Sequence, residues 1–151
     1  MKMLPKYWRL HFLNDTGVSL VHEETPGDDA LIACTSSPWK LVSGAVDYGT
    51  AIDDDFGFDS SVITLADGAS LEGAVHDNTT LKHFHVNGYL YVQTSDASAI
   101  GSYKLYIEGS EDNTNWPSDS DDFSVTDLDI VKTMLVDASG ANSTAAINFE
   151  I

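Results

Sequence analysis

His83-Phe84-His85 is the pairing in this chain whose residue types point most directly to chemistry. Two imidazoles two positions apart fall on one side of an extended strand, near enough to share a metal ion. Zinc and iron sites built on sheets use that spacing. A cupin-type metalloenzyme adds a following Glu and a further His. Here Val86, Asn87, Gly88 and an apolar run follow instead, and His76 is a third ligand only if the fold brings it round. Short H-x-H spacings also arise by chance. The plainer reading makes His83 and His85 polar groups on a solvent or interface face, with Phe84 in the core.

Oxygen ligands are the second resource. Glu111, Asp112, Asn113 and Asn115 place carboxylate and amide oxygens at close spacing, and Asp119, Asp121 and Asp122 follow. Asp53-Asp54-Asp55 is a second cluster of the same kind. Hard cations such as calcium take such ligands. The EF-hand pattern is absent, with no glycine at the sixth position and no closing bidentate Glu. Solvated loop carboxylates are the simpler account. The reading requires no cofactor and leaves calcium as the one open option, at Asp112 and Asp119.

Nucleophile and phosphate motifs are missing. No Ser stands in a G-x-S-x-G setting, no glycine-rich loop opens a helix, and there is no H-E-x-x-H. Carboxylate pairs are abundant, but in so acidic a chain any spacing is met by accident. Cys34 is the single cysteine and lies in the apolar run Leu31-Ile-Ala-Cys-Thr35, which reads as a small buried hydrophobe rather than a reactive thiol. The expectation is a protein that is not an enzyme.

The elements that carry these residues are short strands. Trp8, Leu10 and Phe12 alternate with Tyr7, Arg9 and His11. Tyr103, Leu105 and Ile107 alternate with Lys104, Tyr106 and Glu108, and Ile147, Phe149 and Ile151 close the chain in the same rhythm. A period of two is what a strand with one buried face requires. Asn14-Asp-Thr-Gly17 reads as the turn of a hairpin joining 6–13 to 18–22. Asn87-Gly88 reads as a second hairpin turn between 81–86 and 89–94. Ser37-Pro38 reads as the end of a strand begun near Ala30. Between Gly44 and Thr80 the strand order is not readable, and no ten residues keep a capped helical period. The fold class expected is all-β: a single antiparallel β-sandwich or jelly-roll-like domain over 1–151, with an N-terminal arm at 1–5.

Charge sets limits on partners. With 24 acidic and 7 basic residues the formal net charge is −17, which excludes phosphate-neutralising contact with nucleic acid or anionic lipid. No apolar run reaches the ~18 residues of a membrane helix. Met1 to Trp8 lacks the continuous apolar segment of a secretory leader, so none is expected. Surface aromatics remain. Tyr89, Tyr91 and Tyr106 fall opposite the expected core positions, and Trp116 with Pro117 sits in a polar loop. Such residues anchor interfaces or stack on sugars, unless the sandwich buries both faces of a central strand.

Three segments resemble small virion proteins of tailed bacteriophages: Tyr7-Trp-Arg-Leu-His-Phe12 with Asn14-Asp-Thr-Gly17, Leu105-Tyr-Ile-Glu-Gly-Ser-Glu-Asp-Asn-Thr-Asn-Trp116-Pro-Ser-Asp119, and Ile147-Asn-Phe-Glu-Ile151. The resemblance implies an all-β, non-enzymatic accessory protein that decorates or cements the head, or sits in the tail. Its expected partners are the major capsid protein or other virion proteins and further copies of itself, most often in trimers, with assembly in the host cytoplasm and residence in the virion. No catalytic or ligand residue transfers with it. The alternatives are a tail or fibre carbohydrate-binding module, stacking sugars on Trp116 and the tyrosines, and a cupin-like metalloenzyme at His83 and His85.

Overall fold

The alternation read from the sequence builds a two-sheet sandwich. The computed structural model describes residues 4–22, 31–54, 56, 63–94, 98–120, 124, 128–135 and 143–151. Strand β1 (Tyr7–Asp15) turns Trp8, Leu10 and Phe12 inward, all buried. Its whole length pairs with a strand from far along the chain, Ser102–Ser110, in register from Tyr7 opposite Ser110 to Asp15 opposite Ser102. The other edge of β1 is taken by two short strands, Ser70–Glu72 and His76–Asp77. A further strand, Asp129–Leu135, flanks Ser102–Ser110 with a bulge at Leu105/Tyr106.

Numbered in chain order, the remaining strands are β2 (Leu20–His22), β3 (Leu31–Val42), β4 (Ala45–Tyr48), β5 (Ile52–Asp54), β6 (Ile63–Leu65), β7 (Ser70–Glu72), β8 (His76–Asp77), β9 (His85–Thr94), β10 (Ser102–Ser110), β11 (Asp129–Leu135) and β12 (Ser143–Glu150). The first sheet runs β11-β10-β1, with β7 and β8 side by side along the last edge. The second runs β12-β9-β3, with β4 and β5 sharing the far edge of β3. Every pairing is antiparallel. β2 and β6 form a separate two-stranded ladder. Among the described residues the only helical turn is a 3-10 turn at Pro117–Asp119.

One core fills the space between the sheets. Ile32 and Cys34 of β3, Val86, Leu90 and Val92 of β9, and Phe149 of β12 meet Trp8, Leu10, Phe12, Tyr103, Leu105 and Met134 from the first sheet. Phe12 lies 5.6 Å from Tyr103 and 5.9 Å from Phe56, centroid to centroid. Burial pushes the Cys34 thiol up to about 12, so it stays protonated and packs as the small hydrophobe expected. Leu4 is buried in the core and Pro5 packs over Gly109, so this part of the expected N-terminal arm is docked. Met1 to Met3 lie outside the described residues.

Three turn expectations are corrected. The reversal at Asn14-Asp-Thr-Gly17 exists, with Gly17 at φ 79°, but β2 does not fold back on β1. Both edges of β1 are already occupied, so β2 leaves the sheet and pairs with β6. Buried Asn14 fixes the crossing, donating from Nδ2 to the carbonyls of Val18, Leu65 and Ala66. Ser37-Pro38 does not end β3. Pro38 falls in the gap between β5 and β4 along one edge of the strand, so its missing N–H breaks no ladder bond there, and its carbonyl accepts from Gly49.

Asn87-Gly88 is not a turn either: both residues lie inside β9, pairing with β3 and β12. Gly88 is there for space. The Phe149 ring lies across it, and a Cβ at that position would stand 2.1 Å from Phe149 Cζ. Gly88→Ala is expected to cost about 1–3 kcal/mol through overpacking, read as a lower urea midpoint at unchanged slope. An unaltered midpoint would show that the ring moves aside freely.

Candidate functional site

The long acidic loop after β10 is held to the sheet by a buried carboxylate. Glu108 has the outward parity of β10, yet its side chain is wholly inaccessible. Its Oε2 accepts from Arg9 Nε at 2.6 Å and from His11 Nε2 at 2.9 Å, and its Oε1 accepts from the Ser118 backbone N–H at 2.6 Å. Arg9 reaches Glu72 Oε2 with Nη1 at 2.8 Å and Ser118 Oγ with Nη2 at 2.5 Å. The Arg9 guanidinium lies 4.4 Å from the Trp116 ring centroid, a cation–π contact. Burial raises the Glu108 carboxyl, but the bonds from His11, Ser118 and Arg9 outweigh it and hold the group below the usual carboxylate range.

The loop itself is tied by its own carboxylates. Asp112 accepts from the backbone N–H groups of Asn115 and Thr114 and from the Asn115 side-chain amide, which keep its carboxyl well below the usual range. Asp119 Oδ2 accepts from the Trp116 N–H. Depressed carboxyls stabilise the fold above their unfolded pKa, and that contribution is lost as pH falls through the folded value. The Ser118 amide, protected at neutral pH, is therefore expected to lose its hydrogen-exchange protection only well below pH ~4.3, the ordinary Glu value. Loss of protection near neutral pH would show that Glu108 does not hold the loop.

Tyr106 is accordingly not a surface aromatic: it is 1% exposed, packed with Leu13 and Leu128 under this cover. The period-two pattern gave it the outward parity, and the covering segments then buried that face. Trp116 is half-buried with one ring face against Arg9.

The second sheet differs on its outer side. Antiparallel register puts Thr35, Trp39 and Leu41 of β3 on one face with His85, Asn87, Tyr89 and Tyr91 of β9 and with Val46 and Tyr48 of β4. Trp39 stacks on His85 at 4.5 Å and donates from Nε1 to Asn87 Oδ1. Tyr91 donates its hydroxyl to Gln93 Oε1. Tyr89 remains 42% exposed, Val46 48%, Leu41 55% and Tyr48 61%. The β3–β4 hairpin turns through Ser43 and Gly44, at φ 52° and 85°, the two-residue reversal that suits the strand twist. Residues 41–48 are exposed without a break, so the hairpin tip stands clear of the sandwich.

No protein-family model, curated protein or solved structure matches this chain.

The structure separates the two imidazoles of the H-x-H pair. Lys82, at φ 50°, kinks the chain just before them, and β9 begins only at His85. Asn78 clamps the kink, accepting from the His83 N–H and donating to the His83 carbonyl. His83 is buried beside a cavity of 220 Å³ that Trp8, Pro38 and His76 also line, while His85 lies on the outer face against Trp39. Among the described residues no three His, Cys, Asp or Glu side chains group to hold a metal ion, and no helix is long and apolar enough to cross a membrane. Asp121 and Asp122, two of the loop oxygen ligands, fall outside the described residues.

Tyr89 and Tyr91 thus share an open face, whereas Tyr106 and Trp116 belong to the covered one. The residues that sequence reading passes over are Trp39, Leu41, Val46 and Tyr48. Their signal is Ser43-Gly44 set between two short runs of alternating apolar residues.

Proposed function

We propose that this chain is a non-enzymatic structural protein of a bacteriophage particle, a decoration protein that binds an assembled shell through the outer face of its second sheet. The observation that carries this reading is the asymmetry between the sheets. One outer face is sealed by the Arg9–Glu108–Ser118 network, and the other presents Tyr48, Leu41, Val46 and Tyr89 to solvent. Aromatics and large aliphatics on an open, rigid sheet are the residue types that anchor protein interfaces. The resemblance of β1, of β10 with its loop and of the chain end to phage virion proteins supplies the particle. The sugar-stacking reading needs a free platform at Trp116, and Arg9 already occupies one face of that ring.

Quantitative mass spectrometry of purified particles from the source lysate tests this reading. Copies in the hundreds per particle support shell decoration, and a few dozen move the protein to tail or neck. Absence from the particle overturns the virion assignment.

A further inference from the structure

We propose that the open face of the second sheet docks a partner protein whose contact patch is apolar at its centre and ringed by lysine or arginine, rather than a second copy of this chain. The inference rests on the reading above that this face binds a protein shell, and adds the chemistry of the partner.

Charge is the deciding observation. The strands of the second sheet contain one basic residue, Lys40. It points away from the open face, opposite Asp47, and its Nζ donates to the Leu81 carbonyl at 2.7 Å. On the open face the charged side chains are Asp53, which accepts from Thr35 Oγ1, and Glu150, opposite Asn87. The centre is therefore Trp39, Leu41, Val46, Tyr48, Tyr89 and Tyr91, and the charges that the sheet's own strands set at its margin are carboxylates, with Lys132 of β11 lining a cleft beside Asn87 and Glu150 at the β12 edge.

Elsewhere three of the scarce cations are already engaged with carboxylates. Lys6 pairs with Glu111, Arg9 with Glu72 and Glu108, and Lys104 with Asp15. A second copy brought to the same face would meet acid with acid, each chain carrying a formal −17. Like charge across a forming interface disfavours that pairing and slows encounter, whereas a basic rim is steered in from a distance. Exposed tyrosine faces also accept arginine directly through cation–π contact.

The probe is a synthetic amphipathic peptide of leucine and lysine, with a leucine and glutamate twin as control, titrated into the intact protein and followed by amide NMR. The expected result is shifts clustered on Trp39, Leu41, Val46, Tyr48, Tyr89 and Tyr91, and no binding of the acidic twin. Affinity falls about tenfold or more between about 50 and 500 mM salt. It also falls about tenfold in a Leu41→Ser/Tyr48→Ser variant, whose exposed positions leave the core untouched and whose fold is checked in the same spectra.

Shifts scattered over the acidic loops, or a variant that binds as tightly as the parent, overturn the surface. Equal binding of the acidic twin overturns the charge argument. Sedimentation of the unliganded protein supplies the remaining arm: association with itself that the Leu41→Ser/Tyr48→Ser variant abolishes would make the occupant a second copy. None of these readouts uses particles, so their failure is distinct from the absence of the chain from virions.

Discussion

Glu108→Ala is expected to lower the free energy of unfolding by about 3–5 kcal/mol, the cost of removing one partner from a buried ion pair. The residues left behind make the loss large. His11 is as deeply buried as Glu108, and Arg9 is nearly so. Each loses an acceptor, and the Ser118 N–H loses another. Glu72 and Ser118 Oγ still receive Arg9, which sets the lower end of the range. Glu108→Gln keeps the shape but has one acceptor oxygen in place of two, so its NH2 must face a donor, the Ser118 N–H if the oxygen stays with Arg9 and His11, and it is expected to recover only part of the loss. Urea unfolding reads the difference, and for a chain of this length the melting temperature falls by roughly 10 °C. A loss under ~1 kcal/mol would mean that the loop docks without the carboxylate.

Trp8→Ala is the second large effect, again about 3–5 kcal/mol, as a buried indole leaves a void that a packed core fills only partly. The damage has an address. Trp8 lies opposite Gly109 on one side and His76 on the other, with its ring 4.4 Å from the His76 ring. Short β8 is paired only through Tyr7 and Trp8, and the turn after it hangs from the Asn78 N–H to the Lys6 carbonyl. Hydrogen exchange at Asn78 and Lys82 should therefore accelerate more than exchange at Leu90 or Val92 in the centre of β9. Uniform acceleration across the molecule would show that β8 has no separate dependence on Trp8.

Much of the sandwich is legible in the sequence because a buried sheet face leaves a local trace. Trp8, Leu10 and Phe12, and Tyr103, Leu105 and Ile107, declare their inner face by alternation alone. What alternation cannot report is whether the opposite face is open. His11, Tyr106 and Glu108 share the parity of solvent-facing residues and are buried by segments far along the chain. Asn87-Gly88 misleads for a similar reason: the demand for glycine comes from Phe149, about sixty residues away, and not from the local backbone. The hairpin at Ser43-Gly44 does have a local signal, but neighbouring Pro38 reads as a strand end until β4 and β5 are seen to leave a gap beside it. Partner choice between strands has no local trace at all.

The pairing of β1 with β10 sets a timetable for synthesis. Tyr7 leaves the ribosome long before Ser110, its partner in the sheet. At typical elongation rates of 5–20 residues per second, the roughly one hundred residues between them take about 5–20 s to make. For roughly the first sixty residues of that interval the chain carries Trp8, Leu10 and Phe12 with no neighbour for β1; short β7 and β8 then reach one edge, and the other waits for β10. The first sheet therefore cannot close until β10 is made, and until then the newly made segment around β1 is one that a chaperone's shelter would serve.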